Sequence, residues 1–442
     1  MSNIMRVRHA HKPEAGPLPT ALCLTLLCLA VLAGGCGRRE APDRAPAAAP
    51  GGGGVAAAGN VATGGGVATG GCALRVDPTA FTAYEELSAR LARGERVPDE
   101  AFARVWALPA YAALFNATDP RLVNGGILAN VTRYVYGGAA AAKAPRGAPD
   151  RRDQRAAAGP KRKDLVDAFT WARDHRAALD ALVNATATTP LACGVLPAVA
   201  PYVHPGRLPD SLRVIFLVAG PDIRWTGSRM LVDAGVAAAA GPARLPRLLA
   251  AQLYRALAPL DGPEPQAAGG GVAALTATFA QLRREGVSAW LEGFPEVAFD
   301  ATHPLLGHTE AERENWRRLA VNSLTGLQQM LPALLGDPAM LAEKGAVVDD
   351  LLRGNGTYRA TGYAMAALIA TRLGEPRLQA AARGAPADFL AAYQEAATRG
   401  DGPPLAERAW LAPADLKDLP PFPAPVYRSL RALFAPPSGP DG

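Results

Sequence analysis

Two stretches of this chain set polar side chains at the borders of apolar helical faces. In the first, Leu248-Leu249-Ala250-Ala251-Gln252-Leu253-Tyr254-Arg255-Ala256-Leu257, an apolar stripe runs through Leu245, Leu249, Leu253, Ala256 and Leu260. Ala251, Gln252 and Arg255 share the neighbouring arc. In the second, Arg284-Glu285-Gly286-Val287-Ser288-Ala289-Trp290-Leu291, the stripe is Leu275, Phe279, Leu282, Gly286 and Ala289, with Glu285 at its border. A carboxylate at that position needs a partner, because burying it unpaired is costly. Gly286 leaves room for another backbone to come close. Each helix, taken alone, also reads as an ordinary amphipathic helix with a charged edge.

Other residues that could do chemistry are poorly placed for it. His303 and His308, in HPLLGH, are spaced so that a helix would not bring both to one metal ion, and the flanking proline and glycine point to a loop. His175 sits in a charged helix (RDHR) and His204 in a PYVHPG turn. Cys193 lies in the apolar run PLACGVL, which suits a buried structural cysteine better than a reactive one. There is no GxSxG, no CxxC and no zinc-finger spacing. The glycine runs Gly51–Gly54 and Gly269–Gly271 lack the Lys-Ser/Thr of a phosphate loop and read as linkers.

The elements that must position these residues follow from periodicity. From Asp77 to Val203 apolar residues recur at helical spacing, as in FTAYEELSARLARG and DLVDAFTWARDHRAALDALV. A basic loop from Gly137 to Lys163 interrupts them. Leu212–Val218 and Ser228–Asp233 are short, rich in β-branched or large apolar residues and closed by Ala-Gly, so they read as strands. Helical patterns then cover Arg244–Ala258, Leu275–Leu291, Glu310–Leu335, Pro338–Leu352, Ala360–Leu373 and Pro386–Ala397. The expected class is α+β, helix-dominated, with a small central sheet.

The start of the chain has a different character. Arg6, Arg8, His9, His11 and Lys12 precede the apolar run Ala21–Ala33, which is shorter than the roughly 20 residues a membrane-spanning helix needs. This is the pattern of an export signal. Residues 37–71 are almost entirely Gly, Ala, Pro and charged side chains, a composition that behaves as a flexible tether. Net charge is +6 with a pI near 9.2, and the basic residues gather in the tether and in RGAPDRRDQRAAAGPKRK. A loop lying on water or anionic lipid accounts for that charge, and no nucleic-acid partner is expected.

Two resemblances add to this reading. Leu32-Ala33-Gly34-Gly35-Cys36 resembles the lipobox of bacterial lipoproteins, with Ala33 where the box usually has leucine. The resemblance implies a signal peptide over 1–35 and lipidation at Cys36. It also implies a tether over 36–73 and, with Gly37 next to the cysteine, a place in the outer membrane facing the periplasm. An ordinary cleaved signal with an incidental cysteine is the alternative.

The order of strands, helix, EG-containing helix and GY-containing helix resembles the gluzincin zinc metallopeptidases. It implies a metallopeptidase-like core over 206–436 behind an N-terminal helical part over 74–205. In that family the first helix carries HExxH and the next helix a glutamate ligand. Glu285 matches that ligand, whereas Ala251, Gln252 and Arg255 stand at the first histidine, the general base and the second histidine. Tyr358 and Tyr363, in TYRATGYAMA, fall on the family's closing helix as possible cleft residues.

Alanine cannot ligate zinc and arginine keeps its proton, so the resemblance implies a pseudoenzyme with no metal, cofactor or catalytic residue. Its role would be binding a peptide or an envelope protein. The alternatives are an active zinc-dependent peptidase and a purely structural envelope lipoprotein. Because metal ligands crowd one ion, the resemblance also places the Arg255 guanidinium against the Glu285 carboxylate, with Gln252 beside them.

Overall fold

A strand that is apolar along nearly its whole length has to be covered on both faces, and Leu212–Leu217 is one. In the computed structural model Leu212, Val214, Ile215, Phe216 and Leu217 are all buried. The structure describes residues 74–117, 120, 123–138, 160–188, 194–220, 223–226, 229–258, 270–293, 310–353, 356–399 and 419–434. The signal sequence, Cys36, the tether, most of the basic loop, Cys72, Cys193, His303 and His308 lie outside the described residues.

Four strands form one sheet: β1 (Leu74–Asp77), β2 (Leu212–Leu217), β3 (Ile223–Thr226) and β4 (Arg229–Asp233). Their order is β1-β2-β4-β3. β1 and β4 flank β2 in parallel, and β3 runs antiparallel to β4. The sequence led us to expect β2 and β4 alone. β1 and β3 are four-residue edge strands, too short to show an alternating pattern. Because β1 pairs with β2, the segments 74–205 and 206–436 share this sheet.

Helices make up the rest of the described fold, as expected of a helix-dominated α+β chain. The N-terminal set is α1 (Thr79–Ala92), α2 (Asp99–Trp106), α3 (Pro109–Asn116), α4 (Gly125–Gly137), α5 (Pro160–Asp174), α6 (Arg176–Thr188) and α7 (Val195–Val199). Helix α5 begins inside the stretch expected to be loop, at Pro160, whose missing N–H and fixed φ suit a first helical turn. Tyr111 of α3 joins this set to the sheet, its hydroxyl donating to the Val218 carbonyl at 3.1 Å.

Strand β4 runs directly into α8 (Ala234–Leu257), which is kinked at Gly241 with φ +66°. Asp233 holds that corner together. One carboxylate oxygen caps the helix by accepting from Val236 N, and the other accepts from Ala219 N and Gly220 N at the end of β2. Burial pushes this carboxyl up to about 6, against the pull of those backbone N–H groups.

The C-terminal helices are α9 (Gly270–Glu292), α10 (Glu310–Gly336), α11 (Pro338–Lys344), α12 (Val347–Leu352), α13 (Thr357–Leu373), α14 (Glu375–Arg383), α15 (Pro386–Thr398) and α16 (Ala424–Leu433). Helix α13 is buried without a break from Ala360 to Ile369, as befits a helix apolar all round, and α9, α10, α14 and α15 surround it. It lies so close to α9 that a Cβ on Gly286 would stand 2.2 Å from the Gly362 carbonyl oxygen. The opening expected at Gly286 is filled by this backbone. Among the described residues no helix is long and apolar enough to cross a membrane.

Candidate functional site

Helices α8 and α9 lie side by side with matching positions running in opposite directions. The Arg247 guanidinium rests against Gly293, Ser288 Oγ donates to the Ala251 carbonyl at 3.0 Å, and Arg255 meets Glu285. The helices are therefore antiparallel, and their apolar stripes face each other. The polar arcs beside those stripes come together at one seam.

At that seam Arg255 Nη2 stands 2.6 Å from Glu285 Oε2. Arg255 Nη1 donates to Gln252 Oε1 at 3.3 Å. Gln281 Nε2 donates to the other Glu285 oxygen at 3.3 Å, and Arg284 Nη2 approaches the same oxygen at 3.7 Å. Nearby, Arg359 of α13 pairs with Glu292 of α9. The seam is largely but not wholly dry, the side chains of Arg255 and Glu285 being 27% and 12% exposed. Burial lowers the Arg255 pKa and the Arg359 charge adds to this, while Glu285 and Glu292 oppose it.

The structure thus gathers Gln252, Arg255 and Glu285, and buries Ala251 directly beside them. The donor set does not fit zinc: its one carboxylate, Glu285, already meets the guanidiniums of Arg255 and Arg284, and the alanine and arginine beside it offer a metal no ligand atom. Among the described residues no group of three His, Cys, Asp or Glu could hold a metal ion. The two tyrosines separate. Tyr358 is partly buried and its hydroxyl donates to Asp349 at 2.5 Å, whereas Tyr363 is fully buried, near Trp290 in the core. Tyr363 is thus a core residue and does not line an open surface.

Besides Asp233, a second buried acid escaped the sequence reading. Glu85, on the inner face of α1, is 5% exposed, and its Oε2 lies 2.7 Å from Arg176 Nε of α6. Burial pushes its carboxyl up to about 7; Arg176 pulls the other way and Asp180 adds to the rise. Burial, and behind it the Glu85 charge, also raises the Tyr136 hydroxyl. The only sequence signal was an acid inside FTAYEELSARLA, where the adjacent Glu86 reads equally well as the inner one.

A raised carboxyl binds its proton more tightly in the folded state. Its stabilising protonation is complete below the unfolded pKa and lost as pH rises through the folded one, here from about 4.5 to about 7. We expect Glu85→Gln to stabilise the protein at pH 8 by up to about 3 kcal/mol, with the gain largely gone at pH 4.5. Urea unfolding at both pH values measures this. Destabilisation at pH 8 would show that the Arg176 attraction outweighs the burial cost.

No protein-family model matches this chain, and neither does any curated protein or solved structure.

Proposed function

We propose that this chain is a lipoprotein of the bacterial outer membrane whose metallopeptidase-like core has lost its zinc site and serves as a binding module in the periplasm. One observation carries the reading. Arg255 and Glu285, from adjacent antiparallel helices, form a direct ion pair at the positions where the resembled family has its second histidine and its glutamate ligand. The guanidinium then does electrostatically what an ion would do, neutralising a largely buried carboxylate. Gln252 supports the reading too, since a carboxamide cannot take a proton from water as the family's glutamate base does. Anchoring is supported by the basic start, the short apolar run and the small residues before Cys36.

The test uses protein purified from a membrane fraction. The mature chain is expected to begin at an acylated Cys36 by mass spectrometry, to hold substoichiometric zinc and to leave peptides uncut. Zinc near one per chain with chelator-sensitive cleavage would instead establish an active peptidase. The variant Ala251→His, Gln252→Glu, Arg255→His is expected to gain a zinc site with Glu285. A folded triple variant that takes up no zinc would overturn the metallopeptidase-like reading of the seam.

A further inference from the structure

Residues 419–434 lie on the helical bundle as a peptide lies in a binding groove. The stretch opens Leu419-Pro420-Pro421-Phe422-Pro423-Ala424-Pro425, and its prolines have no N–H with which to join a sheet ladder. Side chains read this backbone instead. Gln328 of α10 donates through Nε2 to the carbonyls of Pro420 and Pro421, both at 2.8 Å, and the Tyr393 hydroxyl of α15 donates to the Pro420 carbonyl at 3.0 Å. Gln394 of α15 grips Phe422 by both main-chain groups, donating to its carbonyl at 3.0 Å and accepting from its N–H at 2.8 Å. That double contact fixes the register of the segment.

The segment is anchored through one face only. Leu419 and Phe422 are buried and stand three residues apart, one turn of a polyproline helix, while Pro421, Pro423, Ala424 and Pro425 are exposed. Pro423, at φ −53° and ψ 138°, has the backbone of such a helix. The Phe422 ring meets Tyr393 and Phe279 edge-on, with centroids 5.7 and 6.5 Å apart. Helix α16 then continues the buried face at four-residue spacing through Val426, Leu430 and Phe434. An aromatic-lined groove, carbonyls taken up by side-chain donors and anchors one polyproline turn apart are how proteins recognise proline-rich ligands.

We propose that the groove between α10 and α15 is a binding site for proline-rich peptides, and that the chain's own tail fills it as an occupant which an outside segment of the Leu-Pro-Pro-Phe-Pro kind can displace. Every contact described for 419–434 is one that an unconnected peptide could make. Covalent linkage raises the tail's local concentration to the order of millimolar, so the intact protein hides the site from a weak competitor. None of these residues belongs to the Arg255–Glu285 seam, and failure here leaves the pseudopeptidase reading untouched.

The test keeps the full chain and inserts a cleavage site for a specific protease between Arg399 and Leu419. Binding of a fluorescein-labelled peptide of sequence 419–434 is followed by polarisation before and after the cut, which removes no residue and lowers only the tail's local concentration. The cut protein is expected to stay folded by circular dichroism, to release its tail and to bind the peptide at least tenfold more tightly than the uncut protein. Gln394→Ala should weaken that binding about tenfold, since two hydrogen bonds are lost. A peptide carrying Pro420→Ala, Pro421→Ala and Pro423→Ala should also bind about tenfold more weakly, because it is ordered from a looser free state. In the uncut chain Phe422→Ala loosens the tail and leaves the groove intact, so it should raise affinity for the peptide by a similar factor.

A cut protein that unfolds, or that keeps its tail and takes up no peptide, would overturn the proposal and make the tail a fixed part of the core. Equal binding of the alanine peptide would remove the assignment to proline-rich ligands. Uncut protein that dimerises by exchanging tails yet takes up no peptide would assign the groove to a second copy and end the case for an outside ligand.

Discussion

Gly286→Ala is expected to destabilise the protein severely, even though alanine is the better helix former by about 1 kcal/mol. The new methyl would stand 2.2 Å from the Gly362 carbonyl oxygen and 2.3 Å from its carbon, and neither can move without the whole of α13. Backbone cannot swing aside as a long side chain can. The helices must part, which strains the crossing and opens a void among Leu282, Phe279 and the buried run of α13. Overpacking and void together should cost on the order of 3–5 kcal/mol. Gly362→Ala meets the Leu282 carbonyl oxygen at 2.2 Å and should cost about as much. The double variant should cost much less than the sum, since one methyl already parts the helices. Chemical denaturation midpoints at constant slope measure all three. A Gly286→Ala variant within about 1 kcal/mol of the parent would rule out this crossing.

The second large effect is expected at Arg255. Replacing it with alanine leaves Glu285, 12% exposed, facing only Gln281 and a more distant Arg284 among the described residues. Breaking a buried ion pair from one side costs about 3–5 kcal/mol, and the partial exposure of Arg255 should bring the loss to roughly 2–4. Removing both charges together, as Arg255→Met with Glu285→Met, should recover most of it, because no buried charge is then left alone. The double-mutant cycle is the measurement. Additive losses, or an Arg255→Ala cost below about 1 kcal/mol, would mean that the pair behaves as a solvated surface bridge.

What was legible in the sequence was whatever repeats along one element. The helix through Arg255 and the helix through Glu285 both announce themselves by apolar residues at three- and four-residue spacing. Strand β2 does so by its unbroken apolar run. The meeting of Arg255 with Glu285 was accessible because one carboxylate at the border of a buried face calls for a cation, and the resembled family supplied the matching position. The edge strands were not legible: Leu-Arg-Val-Asp and Ile-Arg-Trp-Thr are four residues each, and pairing with distant strands, not their own pattern, makes them strands. Glu85 and Asp233 were missed for a related reason. An acid on an amphipathic helix or at a strand end is ordinary in sequence, and its burial depends on what the rest of the chain brings over it. Tyr363 failed in the opposite sense, because a helix wrapped on every side by others has no face left for a cleft.

The register of the sheet carries a kinetic consequence. Strands β2, β3 and β4 and helix α8 are neighbours in sequence, so their contacts close short loops and can form early. Strand β1 is different: its partner is β2, and every helix of the N-terminal set must be accommodated between them before Leu74 meets Leu212. Closing so long a loop is entropically slow, and four residues of edge pairing return little until the helices have already drawn the ends together. The order of assembly is then inverted relative to the order of synthesis. The first strand to be made is the last to dock, and until it does, one edge of β2 stands open to pairing with other chains.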